Sequence, residues 1–314
     1  MTRASRDQLE QLVGQVEPGG RLVRARRLRG GVGARMDVLD IERADGTRTK
    51  VSLRRFPRDN RSSQPEHVAH EYRILQLVER TAIASPQPLL LDATGELFGV
   101  PAMALTYLPG APVYQPHNVA TWAEQLARAL LAVHAVTPRT HDLSWLGTHL
   151  GDGIREELAT RRARARGHSA LAHEVHAALV KKIDRVAWPE PTFVHDDYWP
   201  GNTVWYHGRL TGVIDWTHAE VGDPRTDVSQ CCLDLTMILD LEAAATFRAA
   251  YQRLAPRPLP DLWSFDLLRG LRALLSYQFW LAGYHDAGLT HVTKRRARSR
   301  IESFLRRALA AATR

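Results

Sequence analysis

The stretch His195-Asp196-Asp197-Tyr198-Trp199-Pro200-Gly201-Asn202 places a histidine, two adjacent carboxylates and an amide within one short segment. Two further strings follow: Val213-Ile214-Asp215-Trp216 and Gly222-Asp223-Pro224-Arg225-Thr226-Asp227. Between them, residues 204–206 and 210–214 read as strands around Gly208-Arg209. Glycine at the first central position suits a two-residue type II′ turn. In that register His207 faces Leu210, Val204 faces Val213 and Asn202 faces Asp215. A longer loop would shift the pairing.

An amide oxygen and a carboxylate at the open end of one hairpin form a hard-oxygen cation site of the kind Mg²⁺ prefers. Asp197 lies on the loop after the short strand 192–194, where a carboxylate can orient a hydroxyl and accept its proton. That division of labour fits phosphoryl transfer, in which positioning and charge neutralisation supply most of the catalysis. Structural readings compete residue by residue. Asp and Asn are common turn formers, His195 suits a hydrogen-bonded structural role, and Asp223 suits a helix N-cap before Pro224. The joint pattern is more specific than any of its parts. Nothing in the sequence pairs a serine nucleophile with a base or spaces His and Cys for zinc.

Residues 195–227 resemble the aminoglycoside phosphotransferase-like family, small-molecule kinases that share the protein-kinase fold. The family pattern H-G-D-x-x-x-x-N, I-D-W and G-D-P-x-x-D is matched here by HDDYWPGN, VIDW and GDPRTD. The resemblance implies that Asp197 is the catalytic carboxylate, that Asn202 and Asp215 ligate Mg²⁺, and that His195, Asp223 and Asp227 support the site. Asp196 departs from the pattern by standing where the family has glycine. A side chain fits there if the backbone does not need positive φ, and the extra charge would draw a cationic group or raise the proton affinity of Asp197.

A kinase-like reading makes demands on residues 20–110. Residues 22–56 carry strand-like patterning, with three antiparallel strands expected. Asp45-Gly46 reads as a hairpin turn in which both residues tolerate positive φ. Gly30-Gly31-Val32-Gly33 supplies a glycine-rich turn for phosphates, with Gly31 and Gly33 as the candidates, although it is neither a P-loop nor a full G-x-G-x-x-G. On the third strand, alternation puts Val51, Leu53 and Arg55 on one face and Ser52, Arg54 and Phe56 on the other. Resemblance favours Arg54 as the phosphate-gripping cation and leaves the other arginine on a solvent face. Glu71, on a helix expected over residues 67–80, resembles the family's acidic partner, with Glu66 as the fallback. Main-chain groups near Thr106 and Leu108 resemble the hinge that meets adenine; GTP would fit the same place.

The expected fold class is α+β: a bilobal protein-kinase-like fold with a small antiparallel-sheet N-lobe and a larger, mostly helical C-lobe. Leu108-Pro109-Gly110 marks the boundary, dividing a nucleotide-binding lobe (1–108) from a helical lobe with the catalytic loop and acceptor site (109–314). Helices are expected over 5–16, 120–136, 152–166, 169–186, 224–239, 241–254, 261–284 and 289–312.

The 314 residues carry 44% hydrophobic and 24% charged side chains and a formal charge of +8. No apolar run is long enough to span a membrane, and the N-terminal residues do not read as a signal peptide. Adjacent Cys231 and Cys232 suit neither a disulfide nor zinc, so a cytoplasmic protein is expected. The arginines are scattered and lack interleaved aromatics, which disfavours nucleic acid. The implied function is ATP-dependent phosphorylation of a hydroxyl on an aminoglycoside-, macrolide- or amino-alcohol-like small molecule, by a monomer or homodimer. A regulatory, nucleotide-binding pseudokinase is the alternative, and a basic nucleic-acid-binding protein a weaker one. For the acceptor, Asp234, Asp240, Glu242, Asp266 and Asp286 are candidate carboxylates whose helical spacing fits solvated faces. Trp263, Tyr277, Phe279, Trp280 and Tyr284 are candidate pocket aromatics, with core packing as their default role.

Overall fold

The computed structural model describes residues 3–28, 34–57 and 64–313. The chain divides into two compact units: Met1–Gly110 with Thr211–Thr217, and Ala111–Leu210 with His218–Arg314.

The first unit is built on strands β1 (Arg21–Arg27), β2 (Arg35–Glu42), β3 (Arg48–Arg55), β4 (Pro88–Asp92) and β5 (Ala102–Thr106). They form one antiparallel sheet in the order β1-β2-β3-β5-β4. Helix α1 (Arg6–Val16) starts at Ser5, whose side chain and that of Gln8 form a reciprocal capping box. Its Leu9, Leu12 and Val13 pack with Leu39, Ile41, Val51 and Leu53 into the core of this unit. Each such side chain, once fully buried, stabilises by about 1.5–3 kcal/mol. Helix α2 (Pro65–Glu79) begins on a proline at its first turn, where the missing N–H is harmless.

The turn between β2 and β3 departs from the sequence reading. The loop closes through Arg43 N–H to Thr47 O and Gly46 N–H to Arg43 O. Only Gly46 takes positive φ (81°). Asp45 instead accepts hydrogen bonds from the backbone N–H and hydroxyl of Thr47, an Asx turn that does not need the left-handed conformation.

The second unit is mainly helical: α3 (Val119–His134), α4 (Gly151–His168), α5 (Ala170–Lys182), α6 (Arg225–Ile238), α7 (Leu241–Leu254), α8 (Leu262–Asp286) and α9 (Lys294–Ala312). Helix α9 begins five residues later than expected, capped by Thr293, because Gly288 adopts φ 84° and Leu289 N–H folds back onto Tyr284 O. Two very short strands escaped the sequence reading: β6 (Thr148–His149) and β10 (Glu220–Gly222). With β7 (Thr192–Val194) they form the order β6-β10-β7, and Glu220 pairs with Val194.

The hairpin of β8 (Thr203–Tyr206) and β9 (Arg209–Val213) also corrects its expected turn. The loop is His207-Gly208, with φ of 48° and 75°, the double left-handed signature of a type I′ turn. His207 therefore belongs to the turn, and the expected register, with Asn202 opposite Asp215, moves by two residues. Gln125 of α3 clamps this turn, donating to Gly208 O and accepting from Leu210 N–H.

Asp223 is not the cap of α6, whose N-cap is Pro224. Its carboxylate accepts from Arg225 N–H at 2.9 Å and holds the Arg225 guanidinium in a fully buried pair. That guanidinium lies over the rings of Trp188 and Phe265 and donates to Pro260 O. Removing one partner of such a pair leaves a buried, uncompensated charge. Arg225→Ala should cost about 3–5 kcal/mol, read as a lowered urea midpoint; a change under 1 kcal/mol would contradict this account.

Candidate active site

In the first unit, strand alternation turns Arg54 toward α2. There its guanidinium pairs with Glu71, which is buried, and reaches Asp215 at 3.4 Å. Burial works against the Arg54 charge, but Glu71 and Asp215 outweigh it and hold the guanidinium cationic. Asp215 sits at φ 66°, a left-handed position that Asp tolerates better than most residues. It accepts from the Thr217 hydroxyl at 2.8 Å, and its neighbour Trp216 is anchored by Nε1–H to Ser85 Oγ. Arg55 does not face solvent as expected: it is buried against Asp37 at 2.8 Å, on the side of the sheet that carries Val51 and Leu53. Glu66 lies in the first turn of α2, whereas Glu71 meets the arginine.

In the second unit, the loop after β7 is gripped by Asp227 of α6. His195 N–H and Asp196 N–H donate to its two oxygens, each at 2.8 Å, and His134 Nε2 lies 3.1 Å from Oδ2. Burial opposes ionisation of Asp227, but His134 and His195 together hold its carboxyl below the usual range. His134 Nδ1 in turn meets the Tyr251 hydroxyl at 2.7 Å. Downstream, Asp197 N–H donates to His195 Nδ1, and the Asn202 amide donates to Asp197 O and Oδ2 at 2.9 and 2.8 Å. Buried Tyr198 anchors the loop on α3 through Leu126 O. Gly201 lies against the Trp199 ring so closely that a Cβ would collide with it.

Asp196 adopts φ 58°. The backbone there does need the left-handed conformation, and aspartate occupies it. Its side chain forms an ion pair with Arg269 of α8.

Around this loop lies a charged cluster that the sequence reading did not single out. Glu157 of α4 accepts from Arg161 and Arg272 and lies 3.6 Å from His149. Glu220 is half-buried, and burial together with Asp196 pushes its carboxyl up to about 7 against the opposing pull of His149, Arg269 and Arg272.

Of the acceptor candidates, Asp234 and Asp266 do not lie on solvated faces; both are buried. Asp266 pairs with Arg248. Asp234 accepts from Gln230 and the Tyr284 hydroxyl. Asp240 caps α7, while Glu242 and Asp286 are exposed. Among the aromatics, Tyr284 meets the edge of Trp199 at 5.5 Å, and Trp199 stacks on Tyr114 at 6.0 Å. Phe279 is exposed.

Gly31 and Gly33 lie outside the described residues. Thr106 ends β5, and its N–H is already engaged by Gln87 O; Leu108 is half-buried. His134, Glu220 and Arg269 were missed because no local motif marks them: each meets the loop from a distant part of the chain.

A small sheet carrying a buried Arg–Glu pair, and a helical unit carrying a braced carboxylate loop, are the components of a phosphotransferase with the protein-kinase-like fold. The sequence profile of the phosphotransferase enzyme family matches residues 26–263, and the chain belongs to that family. It is similar to the homoserine kinase of Chelativorans sp., 27% identical over 226 residues, covering 68% of this chain and 67% of that one. It is also similar to mouse acyl-CoA dehydrogenase family member 10, 22% identical over 195 residues, which are 59% of this chain but span only 18% of that protein. The fold is shared with the macrolide 2′-phosphotransferase of Brachybacterium faecium at a TM-score of 0.62 and 22% identity, covering 95% and 97% of the two chains.

The raised Glu220 carboxyl has a consequence for stability. A carboxyl that protonates more readily when folded contributes stability below the unfolded pKa and loses it as pH rises through the folded value. Between pH 4.5 and about 7 this group should forfeit roughly 1–2 kcal/mol after solvent screening. Glu220→Gln should remove that loss. Urea midpoints at pH 5 and 8 should converge in the variant relative to the parent, and equal spacing in both proteins would refute the assignment.

Proposed function

We propose that the protein transfers the γ-phosphoryl group of ATP to a hydroxyl group of a small molecule, with Asp197 as the catalytic carboxylate. The observation that carries this reading is the bracing of Asp197. Asn202 donates to both its main-chain and side-chain oxygens, while Asp227 holds the two preceding N–H groups. The loop thus presents one carboxylate in a set orientation.

In the proposed reaction the acceptor oxygen attacks the γ-phosphorus, the bond to the β–γ bridging oxygen breaks, and ADP leaves. Asp197 orients the acceptor hydroxyl and takes up its proton. Arg54, held by Glu71, contacts nucleotide phosphate oxygens through its planar fork. Gly31, Gly33 and the main chain at Thr106 and Leu108 are the remaining proposed nucleotide contacts. The donor set suits a hard cation: the Asn202 NH₂ group is used by Asp197, which directs its oxygen elsewhere, and Asp215 offers a carboxylate with 45% of its side chain exposed. Asn202 and Asp215 would hold Mg²⁺, which supplies neutralisation of phosphate charge.

The acceptor is proposed as a hydroxyl-bearing small molecule of the aminoglycoside, macrolide or amino-alcohol kind. The relatives named homoserine kinases favour the small end of that range. Trp199, two residues after Asp197, joins Tyr114 and Tyr284 in an aromatic cluster that is the proposed acceptor contact. A nucleic-acid partner is disfavoured because many basic side chains are engaged within the protein, including Arg161, Arg164, Arg272 and Arg300. No helix among the described residues is long and apolar enough to cross a membrane.

The test is ADP release from Mg²⁺·ATP across a panel of aminoglycosides, macrolides, amino alcohols and sugars. Asp197→Asn should lower kcat by about 10²–10⁴-fold while the ATP dissociation constant, measured by calorimetry, changes less than about threefold. Normal turnover by that variant would remove Asp197 from its role. ATP binding without turnover on any acceptor would favour the regulatory pseudokinase.

A further inference from the structure

We infer that Arg269 is a positioning residue for the catalytic loop, acting through Asp196 to keep the adjacent carboxylate, Asp197, in its working orientation. The inference rests on the phosphotransfer reading above.

Three observations converge on the pair. Asp196 occupies the left-handed region at φ 58°, where a non-glycine residue persists only when its surroundings hold it. Its N–H is held by Asp227, and its carboxylate is held by the Arg269 guanidinium. Arg269 itself is buried in the first half of α8, only 7% exposed, and its Nε has no hydrogen-bond partner among the described residues. A buried guanidinium with an unused N–H is costly, so the pairing with Asp196 has to offset that cost. The pair is thus no incidental surface contact, of the kind that contributes little.

Charge explains why the pair matters for the neighbouring residue. An unpaired carboxylate at Asp196 would sit one residue from Asp197 and compete for the same cations and protons. Arg269 neutralises it. The groups around the guanidinium are arranged to the same end: Asp227 and Glu157 add to its cationic character, while Glu220 feels Asp196 on one side and Arg269, Arg272 and His149 on the other. Glycine would satisfy the backbone at this position without any partner. Aspartate requires one, and α8 supplies it from 73 residues along the chain.

The two side chains should therefore be coupled in catalysis. In Arg269→Met the Asp196 carboxylate is left uncompensated. In Asp196→Gly the Arg269 guanidinium is left unpaired and free to pull on Asp227, the carboxylate that holds the loop backbone. In the double variant both disturbances vanish together, and glycine takes the left-handed backbone freely. The measurement is ADP release from Mg²⁺·ATP, with the best acceptor of the panel or with water, together with ATP affinity by calorimetry and the thermal midpoint of each protein.

Each single variant should lose kcat by about 3- to 100-fold with ATP affinity unchanged, and the double variant should recover to within about threefold of the parent. A merely structural pair would lower the thermal midpoint and leave kcat per folded molecule unchanged; that result overturns the inference. So does a double variant as slow as the slower single one. If Arg269→Met does not fold, Asp196→Asn is the isosteric replacement, since Asn also tolerates positive φ; it should show the same fall in kcat, and parental kcat in it would overturn the inference. A parent that turns over no acceptor overturns the phosphotransfer reading and this inference with it, whereas an active parent with an unaffected Arg269→Met overturns this inference alone.

Discussion

A carboxylate with no exposure to solvent, Asp227, is the contact on which the loop carrying Asp197 depends. Burying a charge is expensive unless donors replace the lost water. Asp227 receives two backbone N–H groups from the loop and faces the imidazole of His134, which passes the chain of contacts to Tyr251. The loop is therefore tied at once to α6, α3 and α7. Because hydrogen bonds to an ionised acceptor are short and strong, consecutive N–H groups at residues 195 and 196 leave the backbone little freedom. The left-handed turn at Asp196 follows from that grip, and the direction of Asp197 follows from the turn.

The charge distribution has the same character. A net charge of +8 suggests a protein dominated by repulsion, yet many arginines near functional positions are paired. Arg54 meets Glu71, Arg225 meets Asp223, Arg269 meets Asp196, and Arg272 shares Glu157 with Arg161. Buried pairs are weak evidence for stability, since desolvation consumes most of the Coulombic gain. Their effect is on geometry: each removes alternative positions for a side chain. Exposed pairs such as Arg6–Glu10 and Arg298–Glu302 contribute little in either respect.

Reading the chain alone recovered the elements whose causes are local. Helices expected over 5–16 and 67–80 are present as α1 and α2, the second starting two residues earlier at Pro65, and the third strand shows in the alternation that separates Arg54 from Arg55. The errors lie where two local solutions are close in energy or where the element is too short to carry a period. A turn over His207-Gly208 and one over Gly208-Arg209 both use the glycine, and they differ by a two-residue shift in register. Strands β6 and β10, two and three residues long, exist only because they pair with each other and with β7. The buried state of Asp234 and Asp266 was invisible for a related reason: a carboxylate on a helix looks the same in sequence whether it faces water or a partner from another helix.

The sequence by itself determined the class of the protein, because the spacing of Asp197, Asn202, Asp215 and Asp227 is a local pattern written along some thirty residues. It also determined that aspartate stands at position 196. Only the tertiary structure decided what that residue does. The backbone there is left-handed because Asp227 draws in its N–H, and its charge is tolerated because Arg269 arrives from α8. Both partners are distant in the chain, and no rule of periodicity or propensity links residues that meet only after the helices have packed.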